Sequence, residues 1–329
     1  MNLKEGLVKR AIQGIGLAAP FFDILLAPLT IVAVVWFRIT RYWGVKKMPI
    51  TKWVFLKMGL FPIVNHYYEP LFDYRKVSYK RKNNTLLDLK ENDQLLFLNS
   101  LLPYSNELKN FPLVKTSDQV SYYYENGSFQ YGDGELYYSV IRKNKPKRII
   151  EVGSGFSTLI ALEAIKKNRE ENSAGITQLT CIEPYEMPFL EGLEINLIRE
   201  KIEDVNPSIF NALQNNDILF IDSSHVIRPG GDVNYLILKI LPLLNKGVWV
   251  HFHDIFIPDN YPMEWLRDEF RLWNEQYLLE AFLMNNEAYE IVCAMHYLND
   301  NFKKEVNNVF SILASQGKNA PSSFWIRKR

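Results

Sequence analysis

Two stretches of the chain bring carboxylates and imidazoles into one register. Asp217-Ile218-Leu219-Phe220-Ile221-Asp222-Ser223-Ser224-His225 is an apolar run closed by an acid, with a histidine three residues on. Val248-Trp249-Val250-His251-Phe252-His253-Asp254 is a second apolar run that closes in the same way. As neighbouring strands their ends lie roughly 5 Å apart, so Asp222 and Asp254 can share one cation or one substrate hydroxyl. Like charges this close need a metal or a proton between them. A histidine, which titrates near neutrality, suits a general base acting on a hydroxyl. Asp222, His225 and Asp254 are therefore the catalytic candidates, and Asp222, Asp254 and His253 the candidate ligands of a divalent metal. An imidazole in that set favours manganese, iron or zinc over magnesium. Strand alternation puts His251 on the same side as His253 and opposite Asp254, and His251 is read as a packing residue.

A third stretch, Arg148 to Thr158 (RIIEVGSGFST), is an apolar strand ending in an acid and a glycine turn that opens a helix. Gly153 and Gly155 let the backbone turn sharply and approach a ligand, as a nucleoside cofactor requires. The next strand ends at Glu183, whose two acceptor oxygens match the two donors of a ribose diol. A dinucleotide fingerprint would add a third glycine and an acid about 20 residues on. Here Ser157 or Thr158 falls at the third glycine and Glu183 comes 28 residues after Gly155, which counts against a nicotinamide cofactor.

The ordered set, E-x-G-x-G-x-S after the first strand, an acid ending the second and aspartates ending the fourth and fifth, resembles the class I S-adenosylmethionine-dependent methyltransferases. The resemblance spans roughly Tyr122 to Met295. It implies that Glu151, Gly153, Ser154, Gly155 and Ser157 hold the methionine part of S-adenosylmethionine, Glu183 the ribose, and Ile202 and Glu203 the adenine edge, with Asp222 facing the donor. Phe129 and Tyr131 are further candidates for closing over it. The strand-end acids also resemble the metal-assisted, catechol-type O-methyltransferases, in which two such acids hold magnesium and a base, usually lysine, lies three residues after the first. His225 has that spacing. Those enzymes carry asparagine after the second acid, whereas Ile255 stands here, which argues against magnesium. The expected reaction is methyl transfer to a hydroxyl oxygen of a small molecule or lipid-linked saccharide. Two alternatives remain: a non-catalytic S-adenosylmethionine-binding assembly protein at the membrane, and a less favoured NAD-type Rossmann oxidoreductase.

The elements that must position these residues follow from the pattern. Strands are expected at Arg148–Val152, Gln178–Glu183, Glu194–Arg199, Asp217–Asp222, Gly247–His253, Tyr289–Tyr297 and Ser323–Arg327, with helical patterns between most of them. That alternation predicts an α/β fold, a Rossmann-like, doubly wound, mostly parallel seven-stranded sheet with helices on both faces. A helix around Asn301–Gln316 joins the last two strands, which would close an antiparallel edge. Asp133-Gly134-Glu135 reads as the cap of a helix over Leu136–Arg142. Arg228-Pro229-Gly230-Gly231-Asp232 reads as a loop into a helix capped near Asp232, or as an arginine for an anionic group.

Lysine and arginine (38) nearly cancel aspartate and glutamate (37), so no global field favours nucleic acid. Cys181 and Cys293 lie in apolar runs and read as reduced, buried thiols. Ile15 to Phe37 is almost wholly apolar, interrupted by Asp23 and by Pro20 and Pro28, which should kink a helix. Basic residues flank it on both sides, more after than before, and Trp36, Tyr42, Trp43 and Trp53 cluster at one edge. These features predict an anchor that spans or lies in a membrane surface, with the bulk on the cytoplasmic side. The expected organisation is a membrane-associating segment (1–47), an irregular, partly helical accessory region (48–120) and the methyltransferase-like domain (121–329). His66-Tyr67-Tyr68-Glu69-Pro70 in the middle region reads as interdomain packing.

Overall fold

The computed structural model describes residues 19–64, 69–81, 85–117, 119–171, 175–185, 187–316 and 320–329. The chain divides into two compact units, Met1–Lys76 and Val77–Arg329. His66 to Tyr68, read above as packing residues, lie outside the described residues.

In the first unit, α1 (Ala19–Trp43) is one 25-residue helix that runs through Pro28. The helix continues through it because a single proline removes one ladder hydrogen bond, and the surrounding leucines and alanines favour the helix. Pro20 sits in the first turn, where its missing N–H costs nothing. At 1.5 Å per residue α1 is about 37 Å long, more than the roughly 30 Å of a bilayer core. By length and composition it could cross a membrane, and none of its apolar window is buried. Phe37 packs edge-on against the buried Phe55 of α2 (Pro49–Lys57), which packs in turn against Phe61.

The second unit begins with α3 (Glu91–Asn99) and α4 (Asp133–Asn144). The seven expected strands follow: β1 (Arg148–Val152), β2 (Gln178–Ile182), β3 (Asn196–Ile198), β4 (Ile218–Ile221), β5 (Trp249–Phe252), β6 (Tyr289–Ala294) and β7 (Phe324–Lys328). Between them run α5 (Phe156–Glu170), then α6 (Asp232–Tyr235), which passes through a π-helical turn at Leu236–Ile240 into α7 (Leu241–Leu243). Next come α8 (Met263–Arg267), α9 (Glu275–Leu283) and three short helices before the last strand, α10 (Met295–Asn301), α11 (Lys303–Val309) and α12 (Ser311–Gln316). The sheet order is β3-β2-β1-β4-β5-β7-β6. β7 inserts between β5 and β6 and runs antiparallel to both, so it is not the outer edge.

Period-two alternation sorts the strands onto two cores. Ile149, Cys181, Phe220 and Trp249 face one, with Tyr137 and Val140 of α4 and Ile160 and Ala164 of α5. Ile150, Val152, Ile182, Leu219 and Val250 face the other, with Ile237, Ile240 and Leu279. Each buried valine, leucine, isoleucine or phenylalanine among them contributes about 1.5–3 kcal/mol. Two buried acids of α4 fasten the chain's last segment to this framework. The Glu135 carboxylate accepts from the Gly132 N–H at the helix start and from Ile312 and Leu313 N–H. Asp133 accepts from Ser322 and Ser323 N–H and so ties down the approach to β7 rather than capping its own helix.

Candidate active site

β1 and β4 are neighbours although β2 and β3 come between them in sequence, and such a reversal opens a crevice beyond the carboxyl ends of the two strands. Hydrogen bonds extend the sheet one step past its strands: Gly153 N–H donates to Ile182, Asp222 N–H to Val152 and His253 N–H to Ile221. Gly153 has φ +80°, and a β-carbon there would collide with the backbone of Asp222. Glycine is thus required both by conformation and by the closeness of the two strand ends.

Two cavities open at this crevice. One of about 240 Å³ is lined by Gly153, Glu183, Ile202, Glu203, Asp222 and Arg228 among others. The other, of about 620 Å³, is lined by Asp222, Asp254, His253, Tyr131, Trp265 and Arg271 among others. Asp222 is common to both, and its side chain is 38% exposed.

Five of the expected donor-site residues thus line the smaller cavity. Glu183 reaches it with one oxygen 3.0 Å from Tyr185 N and the other 3.4 Å from Ser154 N. The other four stand behind it. Glu151 is wholly buried on the α4–α5 side of the sheet, accepting hydrogen bonds from Tyr137 (3.0 Å) and Thr158 (2.5 Å). Thr158 in turn accepts from Gly155 N–H at 3.1 Å, so Glu151 holds the glycine turn from beneath. Ser154 and Ser157 are buried, and the Gly155 α-carbon faces Met187. Of the two aromatic candidates, Tyr131 lines the larger cavity, while Phe129 packs in the interior against Tyr137, Phe220 and His253.

Burial pushes the carboxyls of Glu151 and Glu135 up to about 7, in Glu151 despite the hydrogen bonds from Thr158 and Tyr137. Since an unfolded glutamate titrates near 4.3, the folded state holds more protons between about pH 4.3 and 7. Stability should therefore fall as pH rises through that window, by on the order of 3 kcal/mol per acid. Denaturant midpoints measured from pH 4.5 to 7.5 check this, and Glu151→Gln should flatten the slope; an unchanged slope in that variant would refute the assignment.

At the mouths of β4 and β5 the buried His225 is held by three acids. Its Nδ1 lies 2.8 Å from Glu275 Oε2 at the start of α9, and its Nε2 lies 3.3 Å from Asp222 Oδ1 and 3.8 Å from Asp254 Oδ2. Its ring packs on Trp273 at 4.2 Å. Ser223 donates to the other oxygen of Glu275, and Asn274 and Glu275 N–H donate to the His225 carbonyl, so the loop after β4 is locked to α9. Ser224 binds Asp232 and satisfies the loop rather than His225. His225 (φ +59°) and Asp254 (φ +56°) both hold left-handed backbone, a conformation that non-glycine residues adopt mainly where a site demands it. Burial opposes a charge on His225, but the hydrogen bonds it donates to Asp222 and Glu275 and the field of Asp254 hold its pKa well above the usual histidine value. Burial likewise opposes ionisation of Asp222, and His253 and His225 more than offset it, holding that carboxyl below its usual value.

The imidazole of His225 therefore stands where a metal shared by Asp222 and Asp254 was expected. His253 is buried with Nε2 3.6 Å from Asp254 Oδ1, and Asp222, Asp254 and His253 do not converge on one coordination point. As placed, these residues do not fit a metal. Among the described residues the acid–imidazole group with close donor atoms is Asp259, His296 and Asp300. There the Lys80 ammonium binds both aspartates, at 2.7 and 3.0 Å. His251 is a core residue, as read from the sequence: it stacks on Phe220 at 4.2 Å, bonds Ser323, and burial holds its pKa well below the ordinary value.

Glu275 is the main site residue that sequence reasoning did not assign. The sequence marks it only within Asn274-Glu275-Gln276-Tyr277, the opening of an amphipathic helix expected near the outlet of β5 as part of an acceptor pocket, 50 residues beyond His225. Trp273 beside it carried no signal.

Residues 150–255, which include both strand-end acids and the glycine turn, match the model of a family described as "Methyltransferase domain". An uncharacterized protein of Archaeoglobus fulgidus is 31% identical over 168 residues, covering 46% of this chain and 74% of that protein. The chain belongs to the class I S-adenosylmethionine-dependent methyltransferases. Solved structures similar to this methyltransferase include a putative O-methyltransferase from Klebsiella pneumoniae, at 13% identity and TM-score 0.33, covering 70% of this chain and 89% of that one. The O-methyltransferase TomG from Streptomyces achromogenes, solved with SAM, covers the same shares at 12% identity and TM-score 0.32.

Proposed function

We propose that this methyltransferase moves the methyl group of S-adenosylmethionine to a hydroxyl oxygen of a small molecule or lipid-linked saccharide, at the cytoplasmic face of a membrane. The observation that carries the reading is that Asp222 is common to the two cavities and lies within 3.3 Å of His225. The donor occupies the smaller cavity, with Glu183 on the ribose diol, Ile202 and Glu203 at the adenine, and the sulfonium beside the carboxylate of Asp222. The acceptor hydroxyl enters from the larger cavity. The oxygen attacks the methyl carbon in line, the carbon–sulfur bond breaks to give the neutral thioether, and the hydroxyl proton leaves to the Asp222 carboxylate, which the His225 ring holds from behind at 3.3 Å. Glu275 fixes the ring so that Nε2 faces the Asp222 carboxylate, and Asp254 completes the acidic wall. No step is routed through a metal.

Calorimetric titration should give saturable binding of S-adenosylhomocysteine, and labelled methyl transfer into membrane and soluble extracts should persist after exhaustive chelation. Tight nicotinamide binding without S-adenosylhomocysteine binding would overturn the donor reading, binding without turnover would support an assembly role, and label lost on chelation and restored by a divalent ion would return the metal to the mechanism. The membrane part rests on the bare apolar surface of α1 and the basic residues that follow it. The full chain should float with anionic liposomes and a chain beginning after Trp43 should stay below. Equal flotation of both would assign membrane binding elsewhere.

A further inference from the structure

We infer that the 620 Å³ cavity beyond Asp222 takes an uncharged, polyhydroxylated ring, a glycoside, in preference to a flat catechol or an anionic molecule. The inference rests on the methyl-transfer reading above and deepens it.

Size is the first argument. A cavity of this volume lies within the roughly 300–1,000 Å³ range of sites for drug-sized ligands, and a catechol would leave most of it to water. Charge is the second. Asp222, Asp254 and Glu264 line the wall, and an ionised carboxylate can only accept hydrogen bonds. A hydroxyl-rich ring supplies donors to all three without adding charge, whereas an anionic acceptor meets like charge on each.

The two basic side chains that line the cavity are already engaged, His253 with Nε2 3.6 Å from Asp254 Oδ1. Arg271 Nε lies 2.5 Å from Glu269, and the guanidinium sits 4.5 and 4.7 Å from the ring centroids of Trp265 and Trp273. It braces the aromatic wall. Trp265, half-buried and lining the cavity, offers an apolar surface of the kind that the C–H face of a pyranose can cover, and the buried Phe256 packs edge-on against it. Acceptors paired with aromatic faces suit a ring that is polar at its rim and apolar across its faces.

Saturation-transfer difference NMR on the full chain in phosphatidylcholine nanodiscs, loaded with S-adenosylhomocysteine, tests this. The probes are methyl β-glucopyranoside, methyl α-mannopyranoside, catechol and glucuronate. At least one methyl glycoside should show transfer at least tenfold stronger than catechol and glucuronate. That signal should be lost in Trp265→Ala and Asp254→Asn and partly kept in Trp265→Phe. S-Adenosylhomocysteine affinity reports that each variant is folded. Stronger transfer to catechol or glucuronate overturns the inference, as does a glycoside signal indifferent to Trp265→Ala. Silence from both glycosides with the donor product bound also overturns it and leaves the methyltransferase reading standing. Failure of S-adenosylhomocysteine to bind the wild-type chain overturns both.

Discussion

Replacing Asp222 by asparagine is expected to lower kcat for methyl transfer by about 10²–10³-fold, while S-adenosylhomocysteine affinity changes by less than about tenfold. The backbone of Asp222 is held independently of its side chain, through its N–H to the Val152 carbonyl, so the crevice should keep its shape. What the substitution removes is the carboxylate facing both cavities, and with it one of the three acids around His225. In the transition state positive charge leaves the sulfur while the hydroxyl oxygen loses its proton, and a neutral amide answers neither change. The thioether product carries no sulfonium charge, so its affinity isolates the ground-state contacts. A split between transfer rate and product affinity therefore separates a chemical role from a merely structural one. Wild-type turnover in Asp222→Asn would sink the proposed site, and an equal loss of both quantities would make Asp222 a binding residue alone.

The sequence revealed the sheet because buried parallel strands are short apolar runs, and each run here ends where the chemistry begins. Ile218–Ile221 and Trp249–Phe252 needed no partner to be recognised. The place of β7 between β5 and β6 was not legible, because strand order depends on which edges pair, and Phe324–Lys328 is equally apolar in either position. Glu151 illustrates a rule that was available. Strand alternation puts it on the face of Ile149, toward Tyr137, and the carboxylate sits there, beneath the turn instead of within it. His225 was marked by its spacing from Asp222, but its environment was not, because Asp254 reaches it from the mouth of β5, and Trp273 and Glu275 from the segment that opens α9. A left-handed backbone at His225 and Asp254 leaves no trace in residue type, and it is this geometry that lets both side chains turn to one point.

The second large effect is expected at Glu183. Glu183→Ala should weaken S-adenosylhomocysteine by about 10²–10⁴-fold, because hydrogen bonds to a charged group contribute about 1.5–3 kcal/mol each and the ribose diol would lose two. Tyr185 N–H and Ser154 N–H lose a partner in the same variant; Tyr185 is exposed, where water replaces it, and the bond from the buried Ser154, at 3.4 Å, is the longer of the two. Titrating fragments localises the loss. Adenosine should weaken as much as the whole cofactor product, whereas homocysteine, which has no ribose, should bind the variant and the wild type alike. Glu183→Gln should fall between, since an amide keeps one acceptor oxygen and presents a donor where the diol also donates. Retention of wild-type affinity in Glu183→Ala would remove the ribose from this cavity, and a loss confined to homocysteine would reverse the donor's orientation between Glu183 and Asp222. The predicted order, alanine weaker than glutamine and glutamine weaker than glutamate, follows only if two hydroxyls meet one carboxylate.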